Sequence, residues 1–120
     1  MVQPELQPLA NDNSPIAVDI VTVADKKTLD EVSKFSARTW FAQKQDYVRM
    51  HPSRVRVASW EWVPGERVDA VRVTGTAGAK GVILFANYST PGAHAAVLPA
   101  RGTIEIDFGA TDFALPTGAK

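Results

Sequence analysis

The chain has 120 residues, its 13 lysines and arginines balance 13 aspartates and glutamates, and it contains no cysteine. The missing thiols exclude disulfides, thiolate metal sites and a cysteine nucleophile, while the zero net charge excludes a strong long-range attraction to nucleic acid or an anionic membrane. The length suits one domain that can bury a core without staples, and no apolar run approaches the roughly 20 residues needed to span a bilayer.

No basic start followed by an apolar core is visible at the N-terminus, so no secretory signal is expected. Two readings stay open, a cytoplasmic protein or a mature segment of a longer precursor. Residues 1–15 carry Pro4, Pro8 and Pro15 and the cluster Asn11-Asp12-Asn13-Ser14. Proline removes a ladder donor and Asn, Asp and Ser favour turns, which predicts an extended arm followed by a loop. Residues 16–23 are β-branched and predict a strand covered on both sides over part of its length. Ile16, Val18, Ile20 and Thr22 share one face, and Ala17, Asp19, Val21 and Val23 share the other.

Thr28 three residues before Glu31 is a capping-box spacing. It predicts a helix over about 28–35, followed by a helical turn around 38–43, with Leu29, Val32, Phe35 and Trp40 resting on the end or face of a sandwich. Pro52 ends what precedes it. Residues 54–63 alternate, but Val55 and Val57 favour one inner face and Trp60 and Trp62 the other. A bulge near Ala58-Ser59 would reconcile them. Pro64-Gly65 predicts a turn, and residues 67–73 a returning strand. A glycine-bearing connection at 75–79 leads to Val82-Ile83-Leu84-Phe85-Ala86, which reads as a central strand buried on both faces. Further strands are expected at 94–98 and 103–108, the latter with Ile104, Ile106 and Phe108 inward, and a short edge piece at 113–115. These elements predict a mainly β fold, a two-sheet sandwich of six or seven strands with a short helical insertion. The domain spans about 16–115, with the insertion at about 28–43 and a tail at 116–120.

No strong catalytic signature appears. His51 and His94 are the only histidines, and neither lies in a spacing that presets metal geometry; both read as loop or strand residues. No serine falls in a nucleophile elbow. Asp30/Glu31 and Glu105/Asp107 read as solvated faces. Gly75, Gly78 and Gly81 lead into a strand rather than a helix, which removes the anion-binding argument. Asn87-Tyr88-Ser89 matches a glycosylation acceptor, a pattern frequent by chance. Trp60 and Trp62 share a face with Arg54 and Arg56. They read either as a stacking platform for a sugar or a partner, or as core and rim packing with arginine alongside. No catalytic group, metal or cofactor is expected.

The Asn11-Asp12-Asn13-Ser14-Pro15 loop comes first, then a β-branched strand and a helical insertion with aromatics spaced over 29–41. The Val63-Pro64-Gly65-Glu66 turn and Lys80-Gly81-Val82-Ile83-Leu84-Phe85-Ala86-Asn87-Tyr88 follow. This order resembles the outer-membrane lipoprotein family of type VI secretion systems over about residues 11–98. The resemblance implies a periplasmic, transthyretin-like sandwich with added helices. It implies tethering to the outer membrane through an N-terminal lipid, and docking to the periplasmic domain of an inner-membrane secretion protein. A loop between the first two strands is implicated in that contact, which here selects Asn11, Asp12, Asn13 and Ser14. The chain departs from the family in lacking the lipid-bearing cysteine and in a short, proline-rich segment where the family has its first strand. The expected function is thus an assembly component that links the two membranes and binds no nucleic acid. The alternative is a carbohydrate- or ligand-binding module using Trp60 and Trp62.

Overall fold

Two strands with apolar side chains on both faces form the centre of the molecule. The computed structural model describes residues 2–6, 14–63, 80–88, 90, 92–98, 104–108 and 112–114. In chain order these form β1 (Val2–Leu6), β2 (Ile16–Val23), α1 (Lys26–Val32), α2 (Ala37–Met50), β3 (Val55–Trp62), β4 (Gly81–Ala86), β5 (Ala95–Leu98), β6 (Ile104–Phe108) and β7 (Phe113–Ala114). The main sheet has four antiparallel strands in the order β3-β2-β4-β5, and the second has three in the order β1-β6-β7. The mainly β, two-sheet expectation is met.

Side-chain alternation divides the interior into two cores. Ile16, Val18 and Ile20 of β2 and Val82, Leu84 and Ala86 of β4 face the second sheet, where they meet Leu6, Ile106 and Phe108. The intervening residues, Val21, Val23, Ile83 and Phe85, face the helices and meet Val32, Ala37 and Trp40. All six residues of β4 are buried. The main sheet is therefore the middle of three layers, with helices on one side and the small sheet on the other.

That layering settles the conflict in β3, and no bulge is involved. Val55 to Trp62 pair with Val23 to Ile16 residue for residue. Val55 and Val57 pack under the helices, whereas Trp60 and Trp62 pack toward the second sheet. A strand covered on opposite faces at its two ends keeps one register throughout.

The helical layer differs from the expectation in its caps and length. Asp25, not Thr28, is the N-cap of α1: its Oδ1 accepts from the Thr28 N–H at 2.8 Å. Thr28 is buried inside the helix. Ser36 caps α2, its Oγ accepting from the Thr39 N–H at 3.2 Å. A side-chain acceptor at the N-cap satisfies one of the free donors of the first turn. The second element is a full helix of 14 residues. Its apolar stripe does not stop at Phe41; Tyr47 and Val48 continue it about two turns on and pack on the same core. His51 and Pro52 then end it.

The N-terminal arm is also more than an arm. β1 runs parallel to β6, with Val2 opposite Ile104 and Leu6 opposite Phe108. Pro4 is tolerated because, among the described residues, β1 pairs on one side only. The expected turn at Pro64-Gly65, the strand at 67–73 and the connection at 75–79 lie outside the described residues.

One contact between the helices carries a pH prediction. The Tyr47 hydroxyl donates to Glu31 Oε1 at 2.9 Å. Burial, and then the bond to Glu31, push its phenol up to about 12, from an ordinary value of about 10. The folded state therefore favours the protonated phenol. Its stabilising contribution is complete below about pH 10 and disappears as the pH climbs toward about 12. Burial pushes the Tyr88 phenol in the same direction. Urea midpoints followed into this alkaline range should decline, and Tyr47→Phe should make the decline shallower. An equally steep decline in that variant would exclude Tyr47 as a contributor.

Candidate docking site

The middle layer holds one buried charge, and it orients the helices above the sheet. Asp19 lies at the centre of β2 on the helix side and is buried. Its Oδ2 accepts from Trp40 Nε1 at 2.9 Å and from Lys44 Nζ at 3.0 Å. Trp40 and Lys44 are four residues apart, so they project from one face of α2. The Trp40 ring also stacks on Phe85 of β4, with centroids 5.1 Å apart and planes 10° apart. Asp19 Oδ1 is buried without a hydrogen-bond partner among the described residues. The described residues contain no cluster of acidic, histidine or cysteine side chains fit to hold a metal. Asp19 is therefore a fastening for α2.

Chain connections gather at one end of the sandwich. β1 finishes there at Leu6, and β2 starts there at Ile16 opposite Trp62, the last residue of β3. The Trp62 ring meets Phe108, the last residue of β6, edge to face at 5.6 Å. The Asn87 N–H, just beyond β4, donates to the Ala17 carbonyl at 2.8 Å. Ser14, Pro15, Val63, Asn87, Gly92, Ala93 and Asp112 are exposed around this end. Val63 is 51% exposed, a large apolar side chain at this rim.

Among the described residues of this end, His94, between β4 and β5, gathers several contacts. His94 is buried and has a positive φ of 47°. Its Nε2 donates to the Thr90 carbonyl at 2.9 Å, with the Thr90 hydroxyl 3.2 Å away. Its Nδ1 lies 2.7 Å from Asp112 Oδ1, at the entry to β7. Tyr88 stacks on the imidazole at 5.0 Å. Gly92 sits at φ 135°, an angle that favours glycine, and a Cβ there would lie 3.3 Å from the ring, a tight contact.

Of the residues expected to bind a partner, Ser14 is exposed at the bend entering β2. Asn11, Asp12 and Asn13 lie outside the described residues, within a connection whose two flanking strands both open onto this end. Trp60 and Trp62 stack on each other, with centroids 5.9 Å apart and planes 25° apart. Trp62 is buried in the core and Trp60 is half-buried against it. This is the core-and-rim packing, and it leaves only one partly open ring. His51 caps the C-terminus of α2 and packs on Tyr47. The role of His94 escaped the sequence reading because Asp112 lies 18 residues away. The one local signal was the turn-favouring sequence Thr90-Pro91-Gly92-Ala93 directly before a histidine that enters an apolar strand.

No family model matches the sequence, and no curated protein matches it either. The fold nevertheless has counterparts among solved structures: it is shared with two lipoproteins of type VI secretion systems. The chain is similar to the T6SS lipoprotein TssJ1 from Pseudomonas aeruginosa, with a TM-score of 0.66 and 13% identity over 94% of this chain and 90% of that one. It is likewise similar to Lip from Serratia marcescens, a membrane bound component of the Type VI Secretion System. There the TM-score is 0.62 and the identity 10%, over 94% of this chain and 93% of that one. Among the described residues no helix is long and apolar enough to cross a membrane.

Proposed function

We propose that this chain is a non-enzymatic assembly component of a type VI-like secretion apparatus, a member of the lipoprotein family that its fold resembles. In this reading it works in the periplasm, is tethered to the outer membrane by an N-terminal lipid, and docks the periplasmic domain of an inner-membrane secretion protein. Since the 120 residues contain no cysteine, the lipid would be carried outside them. The observation that carries the reading is the likeness of nearly the whole chain to two secretion-system lipoproteins. The gathering of the connections at one end supports docking through that end. Loops on a rigid sandwich suit recognition, because the layers fix where the loops begin and end. Asn11, Asp12, Asn13 and Ser14 are the residues we place in the contact.

The test is calorimetric titration of the chain with the periplasmic domain of an inner-membrane secretion protein from the same cell. The expected result is saturable binding that weakens at least about tenfold, or some 1.4 kcal/mol, when residues 11–14 are replaced together by alanine. Undiminished binding in that variant would move the contact elsewhere. Absence of binding by the unaltered chain would sink the docking reading.

A further inference from the structure

His94 holds a backbone conformation that its own sequence does not favour. A left-handed φ on a residue other than glycine persists only where the surroundings over-determine it. Here they do so from every layer of the molecule. Asp112, at the entry to β7, reaches Nδ1 from the second sheet, and the His94 carbonyl accepts from the Ala86 N–H at the end of β4 at 3.0 Å. The adjacent Ala93 carbonyl accepts from the Ala37 N–H, the first residue of α2, at 2.7 Å. One short stretch thus touches the small sheet, the main sheet and the helical layer.

Filling the core does not account for this arrangement. The ring spends both nitrogens on specific oxygens, and one of them belongs to a carboxylate whose side chain is 56% exposed, against 4% for His94 itself. A space-filling residue would gain nothing by reaching out to such a group. β7 has two residues and only two register pairs with β6, so its position relies on anchors beyond the ladder. Asp112 Oδ1 also accepts from the Phe113 N–H at 2.8 Å, which extends the anchor into β7. We propose that His94 is a positioning residue of the docking site: its imidazole clasps the β4–β5 connection to the start of β7 and holds the loops of that end in the one arrangement a partner meets. The clasp stands on this geometry, and its part in docking rests on the function proposed above.

The experiment uses the whole chain and two substitutions. Asparagine accepts the left-handed region better than most residues, so His94→Asn keeps the backbone and removes the ring's reach. Asp112→Asn weakens the same bond from its exposed side, with little risk to folding. Amide exchange is read at Ala37 and Ala86, whose hydrogen bonds involve neither altered side chain. Affinity is read against the periplasmic domain used above, together with the midpoint of thermal unfolding. Both variants should exchange at those two amides about tenfold faster, as befits one lost charge-assisted bond. Both should bind about tenfold more weakly, and the thermal midpoint should fall by several degrees, as the loss of one such bond requires in a domain of this size. Unchanged exchange would overturn the clasp. Faster exchange with unchanged affinity would overturn the positioning role and leave docking intact. If the unaltered chain does not bind, docking and positioning fall together, and the exchange data still decide the clasp on their own.

Discussion

Trp40→Ala should destabilise the protein by about 3–5 kcal/mol, the range for truncating a large aromatic side chain in a packed core. Trp40 is fully buried and stacks on Phe85, and Phe35 and Tyr47 present their rings to it at 5.9 and 6.1 Å. Removing it opens a cavity between α2 and the main sheet, and also deletes the N–H that Asp19 Oδ2 accepts. Trp40→Phe separates the two effects. It retains most of the apolar contact and should cost about 1.5–3 kcal/mol, the worth of a hydrogen bond to a charged group. Urea unfolding of both variants measures the difference. An alanine variant that loses less than about 1 kcal/mol would show that the helical layer is held mainly by other contacts. Because the Ala37 N–H donates to the Ala93 carbonyl, the same substitution should also loosen the docking end.

The second large effect concerns the charge beneath α2. Asp19→Ala should cost about 2–3 kcal/mol, since it leaves the buried Trp40 N–H without an acceptor and Lys44 without its counter-charge. The full penalty of breaking a buried pair does not apply, because the Lys44 side chain is 28% exposed and water reaches it. Lys44→Ala alone should cost about 1–3 kcal/mol, with Asp19 then held by Trp40 only. The double replacement Asp19→Leu/Lys44→Met should recover only part of the loss: an apolar pair escapes the desolvation that the ion pair suffers, but the buried Trp40 N–H still lacks its acceptor. Asp19 Oδ1, buried without a partner among the described residues, makes that recovery larger. Additive losses in the double variant would mean that Asp19 and Lys44 contribute independently, whereas a double loss smaller than the sum measures their mutual attraction.

Much of this was legible before any coordinates. Gly81 to Ala86 read as a buried central strand, and β2 as a strand with two useful faces, because β-branched and apolar residues at a period of two leave few other options. The short helical insertion was visible from Leu29, Val32 and Trp40, although its true caps, Asp25 and Ser36, were not weighed. α2 was underestimated because Lys44 and Tyr47 break up the apolar pattern with polar atoms, while the Tyr47 ring packs on the core and the Lys44 ammonium lies over the Phe41 ring. β1 was missed for an opposite reason. Proline is unfavourable inside a sheet, and only the place of β1 at an edge, beside β6, makes Pro4 acceptable.

The candidate site was legible to a smaller extent. The loop before Pro15 was marked by its turn residues, but its company was not. Ala17, Trp62, Asn87, His94 and Asp112 come together only through strand pairing and the stacking of the layers.

By itself, then, the order of amino acids determined which stretches extend, which coil and which faces avoid water, since these depend on neighbours a few residues apart. Tertiary structure alone decided how β3 serves two cores without a bulge, that Trp62 belongs to the interior, and that His94 joins three layers. Those outcomes depend on what lies opposite each face, and partners 18 or more residues apart leave no periodic trace along the chain.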